Sequence, residues 1–406
     1  MRPFGSPGAD PGGRVLFVSH YASRTGAPVA LWRFLRWVRA NTDLDFEVAL
    51  LAGGPLAEDF AAIARVHVVP VLDFRPVGPT EQWLRGLKRH RAADKRHGER
   101  IQEVARRLRG FDVLYLNSAV SAAAFHALPE IPPVTISHLH EMFGALNYWI
   151  GQPDREALLY RTHTFITCAD TVSRALIGGF HVDPWKVRLH HAFIDPLPEA
   201  TGSAALREQH GIPPDALVVG GVGSVNWRKG PDLFLQVAAE VVRTRPDTDI
   251  RFVWAGGAGH PDEGDPPVEE DTAKLGLEDR VHFVGEFTSP ADVFGMFDVF
   301  CLTSREDPFP LVMLEAAAMG VPIASFANGG VVELAAAGGP EGPLAMVVDY
   351  LDVASLARAV VDLLDDAEAR AELGGRAREH VLANHVTEVA APRLYADLQA
   401  LHPAFP

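Results

Sequence analysis

Ser304-Arg305-Glu306-Asp307-Pro308-Phe309-Pro310-Leu311-Val312-Met313-Leu314-Glu315-Ala316 directly follows the short apolar run 299–302. That run reads as a buried strand. Pro310 suits the first turn of a helix, which would then carry Glu315. A strand, a short loop and a helix N-terminus leave backbone N–H groups unpaired at the positive end of the helix dipole, a geometry that holds phosphate. Pro308 and Pro310 have no N–H, so the donors are Phe309, Leu311 and Val312. Acids at the loop start and about one turn into the helix can grip hydroxyls on either side of a diphosphate. The plainer alternative is a helix cap with surface acids.

The same strand-loop-helix unit recurs outward in both directions. Strands are expected over 14–19, 46–51, 66–70, 113–116, 134–137 and 164–168, with helices between them. The clearest helix is 28–40, where Leu31, Phe34, Leu35 and Val38 share one face. A stretch rich in Pro, Gly and Ala, 195–205, reads as a linker. Alternation restarts at 217–222 and continues through 250–255, 281–284, 299–302, 322–325 and 345–348, and the last part of the chain is helical in pattern. Two doubly wound α/β domains follow, with ligands expected beyond the carboxyl ends of the strands. The expected parts are a disordered leader 1–13, a Rossmann-like domain 14–194, the linker, a second domain 206–385 and a terminal segment 386–406.

Bulk composition agrees. The 406 residues exceed one ordinary core, and 48% hydrophobic with 22% charged is typical of globular chains. No apolar run reaches the ~20 residues of a membrane span. The leader has no apolar core, so it is not a secretory signal. Two cysteines, Cys168 and Cys301, each lie in an apolar run. This excludes a disulfide framework and a zinc site, and it suits a reducing cytoplasm. A net charge of −15 argues against nucleic-acid binding. Residues 81–110 depart from that balance, with ten Lys or Arg against four Asp or Glu. They read as a solvated helix face or as a surface attracted to anionic lipid or an anionic acceptor.

Four further segments carry candidate chemistry. Gly221-Val222-Gly223-Ser224-Val225-Asn226-Trp227-Arg228-Lys229-Gly230 lies at a strand end and opens a helix. Arg228 and Lys229 can stabilise the charge of a leaving diphosphate. Asn226 stands where a dinucleotide fingerprint needs its third glycine, which disfavours an oxidoreductase. Ser19-His20-Tyr21-Ala22-Ser23-Arg24-Thr25-Gly26-Ala27-Pro28 follows the first strand, and Gly26 would let a ligand approach the backbone. Ser137-His138-Leu139-His140-Glu141 ends the fifth strand and offers two histidines, but a metal would need a third ligand that nothing specifies. Val281-His282-Phe283-Val284-Gly285-Glu286-Phe287 is a strand with its exit loop. Two other features are discounted. Asp247-Thr248-Asp249 precedes its strand and reads as a turn, and His190-His191 reads as structural.

The stretch 304–316 resembles the acidic E-x7-E signature of family-4 glycosyltransferases, retaining enzymes of the GT-B superfamily. Gly320-Val321-Pro322-Ile323-Ala324-Ser325 and Asn328-Gly329-Gly330 with Glu333 resemble the run after that signature, and Lys229-Gly230 resembles the family's Lys-Gly pair. The resemblance follows element order over nearly the whole chain and is most specific over 221–333. It implies a GT-B fold, with two Rossmann-like domains facing a central cleft and a terminal helix, about 386–402, crossing back onto the first domain.

It also implies roles. The first acid contacts the transferred sugar and the second, Glu315, the ribose. Asp307 has the family's spacing to Glu315, Glu306 is one residue further away, and both stay open. Most relatives carry another Arg where Gly223 or Ser224 stands here, and Arg228 is the substitute. Gly26 would belong to the loop that closes on the donor phosphate. His140, with His138 as rival, lies near sugar and acceptor, alongside His20 and Glu141. The nucleotide base is read by backbone around 281–287, which ends at Phe287, and Gly256 is a further donor-binding candidate. The expected activity is metal-independent, retaining hexosyl transfer from a UDP- or GDP-linked sugar to a small-molecule, glycan or lipid-linked acceptor. No cofactor is expected beyond that co-substrate, and the setting is cytoplasmic or the inner face of the membrane. The alternatives are a nucleotide-sugar epimerase or hydrolase, and a catalytically silent interaction subunit, on the same fold.

Overall fold

The computed structural model describes residues 13–71, 98, 101–148, 150–257 and 267–405. The chain forms two compact units, dividing after His191 and again before Ala390. Most of the basic stretch 81–110 and nearly all of the expected leader lie outside the described residues.

The first unit holds a seven-stranded parallel sheet, β1 (Val15–Ser19), β2 (Phe46–Leu50), β3 (Arg65–Val68), β4 (Val113–Asn117), β5 (Val134–Leu139), β6 (Thr164–Thr167) and β7 (Val187–Leu189). Their order across the sheet is β3-β2-β1-β4-β5-β6-β7. β1, β2 and β4 are buried throughout, as strands covered on both faces must be. Phe17 on β1 anchors the core edge-on to Phe34 and Phe46 and 4.9 Å from the Tyr115 ring. Such pairs add about 0.5–1.5 kcal/mol each beyond burial.

The second unit holds β8 (Leu217–Val222), β9 (Ile250–Ala255), β10 (Val281–Gly285), β11 (Val299–Leu302), β12 (Ile323–Phe326) and β13 (Met346–Val348). They are parallel and ordered β10-β9-β8-β11-β12-β13. Phe234 and Trp254, with ring centres 5.3 Å apart, lie in its core.

Each order has one reversal, between β1 and β4 in the first sheet and between β8 and β11 in the second. Such a reversal opens a crevice at the carboxyl ends of the two strands.

Several boundaries differ from expectation. β7 has three residues at a sheet edge, too few to show a period, and was not expected. The strand expected at Pro322 starts at Ile323, because Pro322 has no N–H, although its carbonyl accepts from Phe300 N at 2.9 Å. Pro310 precedes its helix, Leu311–Ala318, instead of opening it. The expected linker runs into the helix Ser203–Gln209. The last helix, Thr387–Leu401, passes from the second unit into the first, with the Tyr395 ring 5.9 Å from Trp37.

Candidate active site

In the second unit the crevice is built by two loops. After β8, Gly223 (φ 155°) turns the chain so that a Cβ there would meet the Lys229 stem at 3.0 Å. A Cβ on Gly256, the residue after β9, would lie 2.1 Å from the Gly223 carbonyl. Both glycines therefore make room for neighbouring chain. Asn226, buried, accepts from Lys229 N at 2.9 Å and closes the turn. Gly230 (φ 70°) is left-handed, and a Cβ there would strike the Thr303 carbonyl at 2.3 Å, so the two loops touch backbone to backbone.

Across this junction Lys229 Nζ donates to Asp307 Oδ2 at 2.5 Å. Ser304 Oγ donates to the same oxygen at 3.1 Å, and Arg228 Nη1 lies 3.7 Å from Oδ1. Burial alone would push the Asp307 carboxyl up, but Lys229 and Arg228 outweigh it and hold the group below the usual carboxylate range. Arg228 also donates to the Glu306 carbonyl at 3.0 Å. The Glu306 carboxyl is half-buried and raised by that burial, which Arg228 partly offsets. Glu315 is buried within its helix. Phe309 is also buried, its ring 5.5 Å from His385. Leu311 and Val312, half-buried, open the helix and leave their N–H groups in its first turn. Ser224 follows Gly223 and is half-buried, as is Phe287 beyond β10.

Two residues unremarked in the sequence fasten the loops. Arg305 forms a bidentate pair with Asp232 at 2.9 and 2.6 Å. The same guanidinium donates to the Trp227 carbonyl at 2.8 Å and lies 5.2 Å from its ring centre. Arg305 N donates to the Arg228 carbonyl at 2.7 Å. A charged residue ahead of the acids is the only sequence signal for this clamp.

In the first unit the crevice holds a polar cluster. Asn117, 1% exposed, ends β4. Its Nδ2 donates to the Ala27 carbonyl at 2.9 Å, and its Oδ1 meets His140 Nε2 at 2.9 Å. His138 lies against His140 with ring centres 4.3 Å apart, and its Nδ1 is 2.8 Å from the Tyr115 hydroxyl. Glu141 Oε2 accepts from Ala119 N at 3.1 Å and His140 N at 2.9 Å, and its other oxygen accepts from Ser118 Oγ.

Burial lowers His20 to about 4, against a bond to the Asn117 backbone. Burial and the nearby His20 lower His140 to about 3. His138 is lowered further below its usual value by burial and by His140 and His190. Burial raises the Glu141 carboxyl, and its hydrogen bonds oppose this. Gly26 is exposed and begins the helix Gly26–Asn41, so it is a helix start and not a bare loop glycine.

The structure thus gathers Arg228, Lys229 and Asp307 in one crevice and His20, His138, His140 and Glu141 in another. Asn117, Arg305 and Asp232 join them. His190 Nε2 donates to the Ala390 carbonyl at 3.1 Å. Asp249 pairs with Arg251 at the amino end of β9, away from the crevice. Among the described residues no group of three or more His, Cys, Asp or Glu could hold a metal, and no helix is long and apolar enough to cross a membrane.

A model of the group 1 glycosyl transferases matches residues 214–366. The chain is 27% identical to the D-inositol 3-phosphate glycosyltransferase of Stackebrandtia nassauensis, over 85% of this chain and 81% of that protein. It is 34% identical to the Kineococcus radiotolerans protein of the same name, over 51% of this chain and about half the length of that one. Among solved structures, Anabaena HepE in complex with UDP-glucose superimposes with a TM-score of 0.74 at 19% identity, over 96% of this chain and 100% of that one. WaaG, a glycosyltransferase involved in lipopolysaccharide biosynthesis, gives 0.67 at 15%, over 95% and 99%.

Proposed function

Because this chain belongs to the GT-B glycosyltransferases, we propose that it is a family-4, retaining and metal-independent member that moves a hexosyl group from a UDP-linked donor to an acceptor hydroxyl. The observation that carries this is the convergence of Arg228, Lys229 and Asp307 where β8 and β11 part. A departing nucleoside diphosphate gains negative charge as the glycosidic bond breaks. Two cations in a low-dielectric crevice stabilise that charge more than water does.

The N–H groups of Leu311 and Val312, with that of Phe309, complete the phosphate site. Asp307 Oδ2 is occupied by Lys229 and Ser304, which leaves Oδ1 to accept a sugar hydroxyl. Glu306 is the rival for that role. Glu315 takes the ribose hydroxyls, and Gly223, Ser224, Gly256 and Phe287 bracket the nucleoside. In the first unit His140 orients the transferred group, with His20, His138 and Glu141 around it, and this unit takes the acceptor. The donor phosphate accepts the acceptor's proton. UDP is preferred to GDP as first probe because HepE binds UDP and UDP-glucose. An inositol phosphate is the first acceptor to try, from the names of the relatives.

Thermal stabilisation by UDP-, GDP- and dTDP-sugars, followed by donor turnover in wild type and Glu315→Ala, tests this. A ligand at 100 times its Kd adds about 2.7 kcal/mol. Turnover that needs Glu315 and rises with acceptor supports the transferase. Binding without turnover, indifferent to every acceptor, would overturn it.

A further inference from the structure

Two hydrogen bonds meet at the Asn117 amide. Its Nδ2 faces the Ala27 carbonyl and its Oδ1 faces His140 Nε2, each at 2.9 Å. Turning the amide over would set Oδ1 against the Ala27 oxygen, two acceptors at hydrogen-bond distance, so the orientation is fixed. An amide oxygen opposite Nε2 requires a proton on that nitrogen. A neutral imidazole then has its lone pair on Nδ1. His140 is only partly buried, and no hydrogen bond to its Nδ1 is present among the described residues.

We infer that Asn117 is a positioning residue that fixes His140 as the Nε2–H tautomer and so presents a bare Nδ1 as hydrogen-bond acceptor for a hydroxyl of the bound substrate. This rests on the transferase reading and adds to it the polarity of the contact. His140 accepts and does not donate, and it neither gains nor loses a proton.

The surroundings keep the ring neutral. His20 faces it from the end of β1, His138 stacks on it from β5, and Tyr115 on β4 bonds His138. Glu141 is engaged elsewhere: its Oε2 takes His140 N and Ala119 N, and its Oε1 takes the Ser118 hydroxyl. No carboxylate faces the ring among these groups. Asn117 also ties His140 to the start of the helix Gly26–Asn41 through Ala27, and its own carbonyl accepts from Ser121 Oγ at 2.6 Å. It ends β4, so the strand sets its place.

Asn117→Asp tests the tautomer by giving His140 a carboxylate partner. That partner favours the imidazolium and removes the Nδ1 lone pair as pH falls. The wild type should show flat turnover between pH 5.5 and 8 as far as this group is concerned. A carboxylate opposite Nε2 raises His140 towards the ordinary histidine range, and a return to the free value near 6.5 would cost about tenfold in turnover between pH 7.5 and 5.5. UDP stabilisation, which depends on the other unit, should be unchanged in both. Asn117→Ala covers the case in which the buried acid does not fold. In ¹⁵N-histidine spectra of the full chain, wild-type His140 should carry its proton on Nε2 throughout, and Asn117→Ala should show a mixture.

A wild-type His140 protonated on Nδ1, or Asn117→Asp with the wild-type profile, overturns the inference. Hydrolysis without acceptor and transfer with acceptor are read separately. Loss in both assigns the hydroxyl to the sugar, and loss in transfer alone assigns it to the acceptor. Either supports the acceptor role of Nδ1. Failure of wild type to turn over any nucleotide sugar would overturn the transferase reading instead, and the tautomer spectrum would still decide on Asn117.

Discussion

Lys229 and Asp307 stand 78 residues apart in the chain and meet at 2.5 Å, with side chains 13% and 10% exposed. One sits on the loop after β8 and the other on the loop after β11, and no third element separates them. The contact is an ion pair and a marker that the crevice is formed. Removing either partner therefore has two readouts, stability and ligand binding.

Lys229→Ala leaves the Asp307 carboxylate buried with the Ser304 hydroxyl at 3.1 Å and Arg228 at 3.7 Å. Breaking one partner of a buried pair costs about 3–5 kcal/mol, and Arg228 should keep the loss near the lower figure. Urea unfolding measures it. UDP should no longer raise the melting temperature. A variant as stable as wild type that still binds UDP would contradict the assignment.

Asp307→Asn and Glu306→Gln separate the two acids. If Asp307 Oδ1 takes the sugar hydroxyl, its variant should lose turnover by about 10²-fold or more, comparable to one transition-state hydrogen bond. Glu306→Gln should stay within about fivefold, since its hydrogen bond with Arg228 runs through the backbone carbonyl, which the substitution keeps. The reverse order would move the role to Glu306.

Arg305→Lys tests the clamp. A lysine keeps the charge but cannot span both Asp232 oxygens and the Trp227 carbonyl. The KM for the donor should rise several-fold with a smaller change in kcat, because the loops are misplaced and not removed. Arg305→Lys indistinguishable from wild type would show that charge alone suffices.

Gly329 has φ 65°, and a Cβ there would lie 1.9 Å from the Asp307 carbonyl. Gly329→Ala should cost at least ~1–3 kcal/mol and displace Asp307. Gly375 makes the comparison: it is helical, and nothing lies within 4 Å of a Cβ there. Gly375→Ala should gain up to ~1 kcal/mol. Equal effects would argue against crowding as the cause.

Acid should weaken the first unit. His20 and His140 are held neutral, near 4 and 3, whereas an unfolded histidine titrates near 6.5. Below about 6.5 the unfolded chain binds protons that the folded one does not, so stability falls as pH drops towards 4. The urea midpoint should decrease from pH 7 to 5, and His20→Gln should flatten that slope. The same slope in both proteins would rule out His20 as a contributor.

The strands were legible because parallel strands buried on both faces are written as unbroken apolar runs, as in Val15-Leu16-Phe17-Val18. β7 was not, since three residues at an edge, with Arg188 and Leu189 exposed, carry no pattern. The cations and acids of the second unit were legible from their place after strands. Asn117 was not, because a lone amide at a strand end has the composition of any turn. Its meaning lies in Ala27 and His140, 90 residues before it and 23 after. Asp232 and Arg305 were hidden likewise, as ordinary surface charges until the fold paired them.

The return of the chain after Ala390 orders its assembly during synthesis. The second unit is continuous, from Ala192 to Val389, and can close on itself while later residues are still being added. The first unit includes residues made after the second, with the Tyr395 ring against Trp37 and Ala404 filling the space where a Gly13 side chain would lie. The half made first is therefore finished last. Until then Trp37 lacks the aromatic neighbour it has in the finished fold.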